Sequence, residues 1–273
     1  MRQKSARLGQ HFLTRAWAAH ELVRATAIRE SEIVLEIGPG TGMLTRELLA
    51  AGGKVIAIEK DPTLAEELKS TFYEEIKKKR LTILEADVRS IEPEKIGLKN
   101  LKYVIAANIP YYITGVIIRK FLSARTQPRK MALLLQEEVA QRIAGNTKAP
   151  IERRGPKESI ISISVKAYGT PRIVAKVSRG NFSPPPSVDS AILLIDGISR
   201  DFFRDVSEQI FFHILRAGFS SKRKFILRNL ERALGESTLT TEFATCGISE
   251  KIRAEDLALS QWKCLAQRIE KRF

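Results

Sequence analysis

From residue 33 the chain alternates short β-branched runs with longer segments of helical period, the pattern of βαβ units around a parallel sheet. IVLEI (33–37) predicts a first strand, and GPGTG (38–42) turns it into a helix reaching about Ala51. KVIAIE (54–59) predicts the second strand. Pro62 fits the first turn of the next helix, whose LAEELKSTFYEEIKKK stretch ends in lysines that suit the carboxyl end of the helix dipole. LTILEAD (81–87), KYVIAANIP (102–110) and KMALLLQ (130–136) predict three further strands. Helices are expected from Thr114 to Leu122 and over EEVAQRIAG, ended by Gly145.

Residues 146–157, NTKAPIERRGPK, are polar, basic and proline-bearing, and predict an exposed loop. ESIISISVKAY (158–168) suits either a buried strand or a helix running into one. PRIVAKVS and VDSAILLID predict two more strands; the NFSPPPS joint between them is a stiff loop, because proline is excluded from a central ladder. After about Ile198 the pattern turns helical: 201–219, 222–234, and two short helices near 249–257 and 260–271. The expected fold is α/β, a Rossmann-like domain with a mainly parallel sheet over residues 1–198 and a small helical domain over 199–273.

Charge adds a partner class. Against 31 Asp+Glu stand 46 Lys+Arg, a formal net charge of +15. A polyanion is the first partner this suggests, although solubility or an anionic membrane would use the same surface. Cys246 and Cys264 are too few and too isolated for a disulfide scaffold or a four-ligand zinc site, so a reducing compartment fits and no metal is expected. Apolar runs such as MALLLQ fall far short of the ~20 residues that span a bilayer. The amino terminus lacks the continuous apolar segment of a secretory signal, though its freedom from acids over its first twenty residues is also a transit-peptide trait. The expectation is a cytoplasmic protein with an ordered basic arm.

EIGPGTG lies between a strand and a helix, where small residues let the backbone approach a ligand. A dinucleotide fingerprint would need glycine at position 43, which is Met43. Glu36, Gly38, Gly40 and Gly42 instead resemble the E/D-x-G-x-G-x-G motif of class I methyltransferases, which implies S-adenosylmethionine as cofactor. Glu59, at the end of the second strand with Lys60 after it, is placed to accept from both ribose hydroxyls. Asp87 is placed to accept from the exocyclic adenine amine of the cofactor, with the Val88 N–H near the ring. Any one strand-terminal acid alone is more simply a helix cap or a solvated loop residue; their joint spacing after EIGPGTG favours the site.

Asn108-Ile109-Pro110-Tyr111 closes the fourth strand with a hydrogen-bonding clamp. The exocyclic nitrogen of adenine is a weak nucleophile, because its lone pair is delocalised into the ring. The Asn108 side-chain oxygen and the Ile109 carbonyl can accept both amine hydrogens, while Tyr111 stacks on the base. This N-I-P-Y stretch resembles the signature of the ribosomal RNA adenine dimethyltransferases. GQHFL (9–13), LLLQEEVAQRI, NFSPPPSVDSAI and FSSKRKFILRNL (219–230) resemble further elements of that family in its order, the last one that of its KsgA-type (RsmA) branch. Three departures stand out: His11 and Tyr112 occupy places where asparagine is common or frequent, and ERRGPKE does not follow the family pattern.

The resemblance implies that Gln10, His11 and Leu13 close over the cofactor, that Asn108 borders it, and that Phe182 stacks on the target adenine opposite Tyr111. It implies N6-dimethylation of two adjacent adenines near the 3′ end of small-subunit ribosomal RNA, by a monomer that meets the small subunit or its precursor and no membrane. Arg216, Lys222, Arg223, Lys224 and Arg228 in the helical tail are a natural surface for phosphates, with a merely solvated face as the alternative. The rival readings are an Erm-type enzyme of large-subunit RNA, a noncatalytic ribosome assembly factor, and a DNA adenine methyltransferase.

Overall fold

The computed structural model describes residues 11–29, 32–145, 157–235 and 238–272. The expected 146–157 loop lies outside these residues except for Lys157, and Gln10 lies outside them as well. In chain order the elements begin with β1 (Phe12–Leu13), α1 (Ala16–Thr26), β2 (Ile33–Ile37), α2 (Met43–Ala50), β3 (Lys54–Glu59), α3 (Pro62–Thr71), α4 (Tyr73–Lys77) and β4 (Leu81–Glu85). They continue with β5 (Tyr103–Asn108), α5 (Thr114–Ser123), β6 (Lys130–Gln136), α6 (Glu137–Ala144), α7 (Ile160–Tyr168), β7 (Thr170–Val177), β8 (Phe182–Ser183) and β9 (Ser190–Asp196). Four helices close the chain: α8 (Glu208–Gly218), α9 (Ile226–Leu234), α10 (Thr240–Thr245) and α11 (Leu259–Glu270).

The chain divides into two compact units, residues 1–140 with 170–198, and 141–169 with 199–273. The first holds a seven-stranded sheet in the order β4-β3-β2-β5-β6-β9-β7. Strands β2 to β6 run parallel, and β9 and β7 pair antiparallel at one side. The near-continuous apolar runs follow from this: Val104 to Ala107 and Met131 to Leu135 are fully buried, as strands covered by helices on both faces must be. The expected helix after Pro62 forms with Asp61 as its cap, the carboxylate accepting from the Thr63 and Leu64 N–H groups. Its run to the lysines is broken at Phe72 into α3 and α4.

Two parts of this unit differ from the expectation. Within the basic arm, α1 buries Ala18, Ala19, Leu22 and Ala25, a helical stripe against the core. The proline-rich joint carries a two-residue strand, β8, which pairs antiparallel with β1 (Leu13 opposite Phe182).

The second unit takes in residues 141–169, which the expected division at 198 assigned to the first domain. The ambiguous 158–168 stretch is the helix α7, started by a Ser159–Ser162 capping box. Its Ile163 and Ala167 pack with Phe211, Leu230, Phe243 and Trp262 of the closing helices, which is why it belongs with them. The expected helix from 222 begins only at Ile226, and the 201–219 stretch is helical only from Glu208 apart from one 3-10 turn. Cys246 and Cys264, expected to be too few and too isolated for a disulfide scaffold, form a single disulfide with each other. Their 18-residue separation gives no hint of contact, but the packing of α10 on α11 brings their Cα atoms to 5.8 Å. The pair is one staple rather than a framework. No helix among the described residues is long and apolar enough to cross a membrane.

Candidate active site

The chain builds outward from β2 to β4, then returns to β5 on the other side of β2. At such a reversal the loops after adjacent strands part and leave a crevice at their carboxyl ends. A cavity of about 260 Å³ opens there. Gly38, Gly40, Glu59, Lys60, Asp87 and Val88 line it from the expected cofactor set, with His11 and Asn108. Ile109, Pro110 and Tyr111 line it from the expected clamp. Sequence reasoning did not assign Phe12, Ile37, Ile58, Arg89, Tyr112 and Ile113, which also line it. The isoleucines read as core strand ends, and only their terminal positions could have marked them.

The glycine loop is shaped from both sides. A Cβ on Gly40 would meet the Phe12 ring at 2.8 Å, so glycine alone leaves that wall of the cavity open. Gly42, expected at the cofactor, instead starts α2 at φ 82°, and a Cβ there would strike Phe72 at 2.5 Å. Glu36 also lies behind the loop rather than in the cavity wall. It is fully buried, accepts from the Thr45 hydroxyl at 2.7 Å and leaves Oε1 without a partner. Burial is the main cause that pushes its carboxyl up to about 8, and the Glu59 charge adds to it.

Glu59 is 3% exposed. Its Oε1 accepts from the Lys60 and Asp61 N–H groups at 2.8 and 2.9 Å, and its Oε2 accepts from Gly40 N–H at 3.1 Å. A carboxylate has about four acceptor positions. Three are used in tying the glycine loop to the end of β3, which leaves room for one ribose hydroxyl rather than the expected two. Asp87 is similarly engaged: Arg89 donates to both oxygens, and Lys60 Nζ lies 3.2 Å from Oδ2. The Arg89 guanidinium and backbone N–H, then Lys60, hold this carboxyl well below the usual range. Accepting an adenine amine therefore means sharing oxygens with Arg89.

The clamp has a defined polarity. Asn108 Nδ2 donates to the His11 carbonyl at 2.9 Å, which fixes the amide orientation and turns Oδ1 into the free acceptor. No backbone hydrogen bond among the described residues uses the Ile109 carbonyl, while the Pro110 and Tyr111 carbonyls are taken by Ile113 and Thr114. His11 is itself latched, its Nδ1–H donating to the Pro184 carbonyl at 2.8 Å, and its ring lies 5.8 Å from that of Tyr111. The Tyr111 hydroxyl is bonded to Ser190 Oγ at 2.8 Å, and burial raises its pKa. Phe182, expected to stack opposite Tyr111, is not among the residues that line this cavity. It is 5% exposed and sits with Leu13 in the core, where the β1–β8 pairing holds both.

In the helical unit, Arg216 ends α8, Lys222, Arg223 and Lys224 occupy the exposed turn before α9, and Arg228 lies on α9. Arg228 pairs with Glu231 at 3.1 Å; the three turn residues present their charges to solvent.

The sequence profile of the Ribosomal RNA adenine dimethylase family matches residues 1–271. The chain belongs to this family. It is 36% identical over 262 residues to Ribosomal RNA small subunit methyltransferase A of Dehalococcoides mccartyi, covering 94% of this chain and 86% of that protein. Among solved structures, a dimethyladenosine transferase from Plasmodium falciparum is 27% identical with a TM-score of 0.76, covering 96% of this chain and 98% of that one. The 23S rRNA methyltransferase ErmE shares the fold at 23% identity and a TM-score of 0.72, with 95% and 99% covered. The family's methyl donor is S-adenosylmethionine, and the glycine wall, Glu59 and the Asp87–Val88 turn fit its amino acid, ribose and base.

Proposed function

We propose that this chain dimethylates N6 of two adjacent adenines near the 3′ end of small-subunit ribosomal RNA. The observation that carries the reading is the amide orientation of Asn108, set by the His11 carbonyl. Asn108 Oδ1 and the Ile109 carbonyl are then the two acceptors at the carboxyl end of β5, on residues that line the cavity beside the glycine wall after β2. The cofactor supplies an electrophilic methyl group. The Asn108 and Ile109 oxygens accept the two amine hydrogens, localise the lone pair on nitrogen and stabilise its developing positive charge. No strong base is needed, since the methylated nitrogen is acidic and gives its proton to water. After the first transfer one hydrogen remains, so one acceptor suffices and the other position makes room for the methyl group.

The name of the Dehalococcoides relative supports the small subunit as substrate. A monomer working in the cytoplasm, with the basic turn 222–224 on RNA phosphates, completes the reading. Incubation with labelled cofactor and either unmethylated small subunits or large-subunit RNA, followed by mapping of modified nucleotides, tests it. Labelling of adjacent adenines in the small subunit is expected; labelling of large-subunit RNA alone refutes it in favour of an Erm-type specificity.

A further inference from the structure

We infer that Tyr112 is a stacking platform for the nucleotide that flanks the target adenine. Tyr111 and Tyr112 open the 3-10 turn Tyr111–Ile113, where successive side chains point about 120° apart. Tyr111 is half-buried and bonded to Ser190, whereas Tyr112 lines the same cavity and is 67% exposed. One aromatic is therefore anchored inside the site and its neighbour stands at the mouth. An exposed tyrosine by itself is ordinary.

Its surroundings point to a nucleic acid base. Val116, 47% exposed, and Arg119, also exposed, lie one turn apart on α5, so the helix that follows Tyr112 presents an apolar and a cationic residue outward on one face. Arg89 lines the same cavity within electrostatic reach of Tyr112, its guanidinium held by Asp87, and Lys120 Nζ donates to the Arg89 carbonyl at 3.0 Å. An apolar ring bordered by Arg89, Arg119 and Lys120 matches a base together with its phosphates. A target base can reach Asn108 only by leaving its stack, which strips one face from its neighbour. Tyr112 covers that face. Arg89, Arg119 and Lys120 then hold the phosphates on either side.

This inference rests on the adenine-methylating activity, so its test compares Tyr112 variants in a protein first shown to be active. Steady-state methylation of unmethylated small subunits is measured for the wild type, Tyr112→Ala and Tyr112→Phe, with S-adenosylhomocysteine affinity by calorimetry. Tyr112→Ala is expected to raise KM for the subunit about tenfold to a hundredfold, with kcat within about threefold. Tyr112→Phe retains the ring and is expected to restore KM to within about twofold of the wild type, and the cofactor affinity of both variants stays unchanged. An unchanged KM in Tyr112→Ala overturns the platform. Loss in Tyr112→Phe equal to that in Tyr112→Ala overturns it in favour of a role for the hydroxyl. Weaker cofactor binding that matches the rise in KM makes Tyr112 a wall of the cofactor site instead. A wild-type protein inert on every RNA overturns the activity itself.

Discussion

Replacing Glu36 by glutamine should stabilise this protein, and do so only above mildly acid pH. The carboxyl is fully buried, one oxygen has no partner, and its pKa lies at about 8 rather than 4.5. Between these values the unfolded chain has released the proton that the native state still holds. Stability therefore falls as pH rises through this window, with the full loss present above pH 8. At about 1.4 kcal/mol per pH unit, the loss reaches roughly 3 kcal/mol at pH 7 and roughly 5 kcal/mol above pH 8. Glutamine keeps the shape and the acceptor for Thr45 but cannot ionise. Urea unfolding of both proteins from pH 5 to pH 8.5 reads the difference directly. The two should agree within about 1 kcal/mol near pH 5 and diverge steadily, Glu36→Gln being the more stable. S-adenosylhomocysteine affinity should hardly change, because Glu36 lies behind the cavity wall. Parallel stability profiles across this range would falsify the buried-acid account and mean that Glu36 is already ionised, compensated by groups near Thr45.

Glu59→Gln turns one carboxylate oxygen into an NH2 group, so either the Gly40 N–H or the Lys60 and Asp61 N–H pair loses its acceptor, and S-adenosylhomocysteine binding should weaken by ~1.5 to 3 kcal/mol in calorimetry while RNA affinity stays intact; unaltered affinity in a folded variant removes Glu59 from the site. Replacing Lys222, Arg223 and Lys224 together should lower the salt slope of RNA binding by up to about 3 times the per-phosphate value of 0.7 to 0.9, and an unchanged slope identifies them as a solvated face. Phe182→Ala should cost about 3 to 5 kcal/mol of stability, as truncation of a packed aromatic does, whereas Phe182→Leu should methylate close to the wild-type rate. A slow but stable Phe182→Leu would return the ring to the target base.

The parallel sheet was legible because its strands are unambiguous apolar runs between turn signals. IVLEI, KVIAIE and KMALLLQ match β2, β3 and β6 residue for residue. Most residues expected at the cofactor line one cavity, since strand-terminal residues of a parallel sheet converge at one edge. What pattern could not supply was the use of each polar atom. Glu59 looked free to accept two hydroxyls, but the backbone N–H groups beside it had to be satisfied first. Gly42 read as a ligand contact because motif spacing does not distinguish a wall from the packing behind it. Phe182 and Leu13 are two hydrophobic residues 169 positions apart whose pairing depends on the register of two-residue strands, below what periodicity resolves. The helical stripe of α1 was hidden by the charge of its flanks, and the 158–168 stretch settled as a helix only through its partners in the second unit.

Asn108 takes its orientation from a peptide carbonyl 97 residues earlier in the chain, and that carbonyl is in turn pinned by the latch between His11 and Pro184. The clamp therefore depends on the meeting of β1 with β8, two short strands outside the seven-stranded sheet. A chain lacking His11 would retain every strand of the seven-stranded sheet. Its asparagine would be free to turn its amide over and point a donor at the amine. The fold and the polarity of the clamp thus rest on different contacts, and the presence of His11 is what a batch of this protein should be judged by.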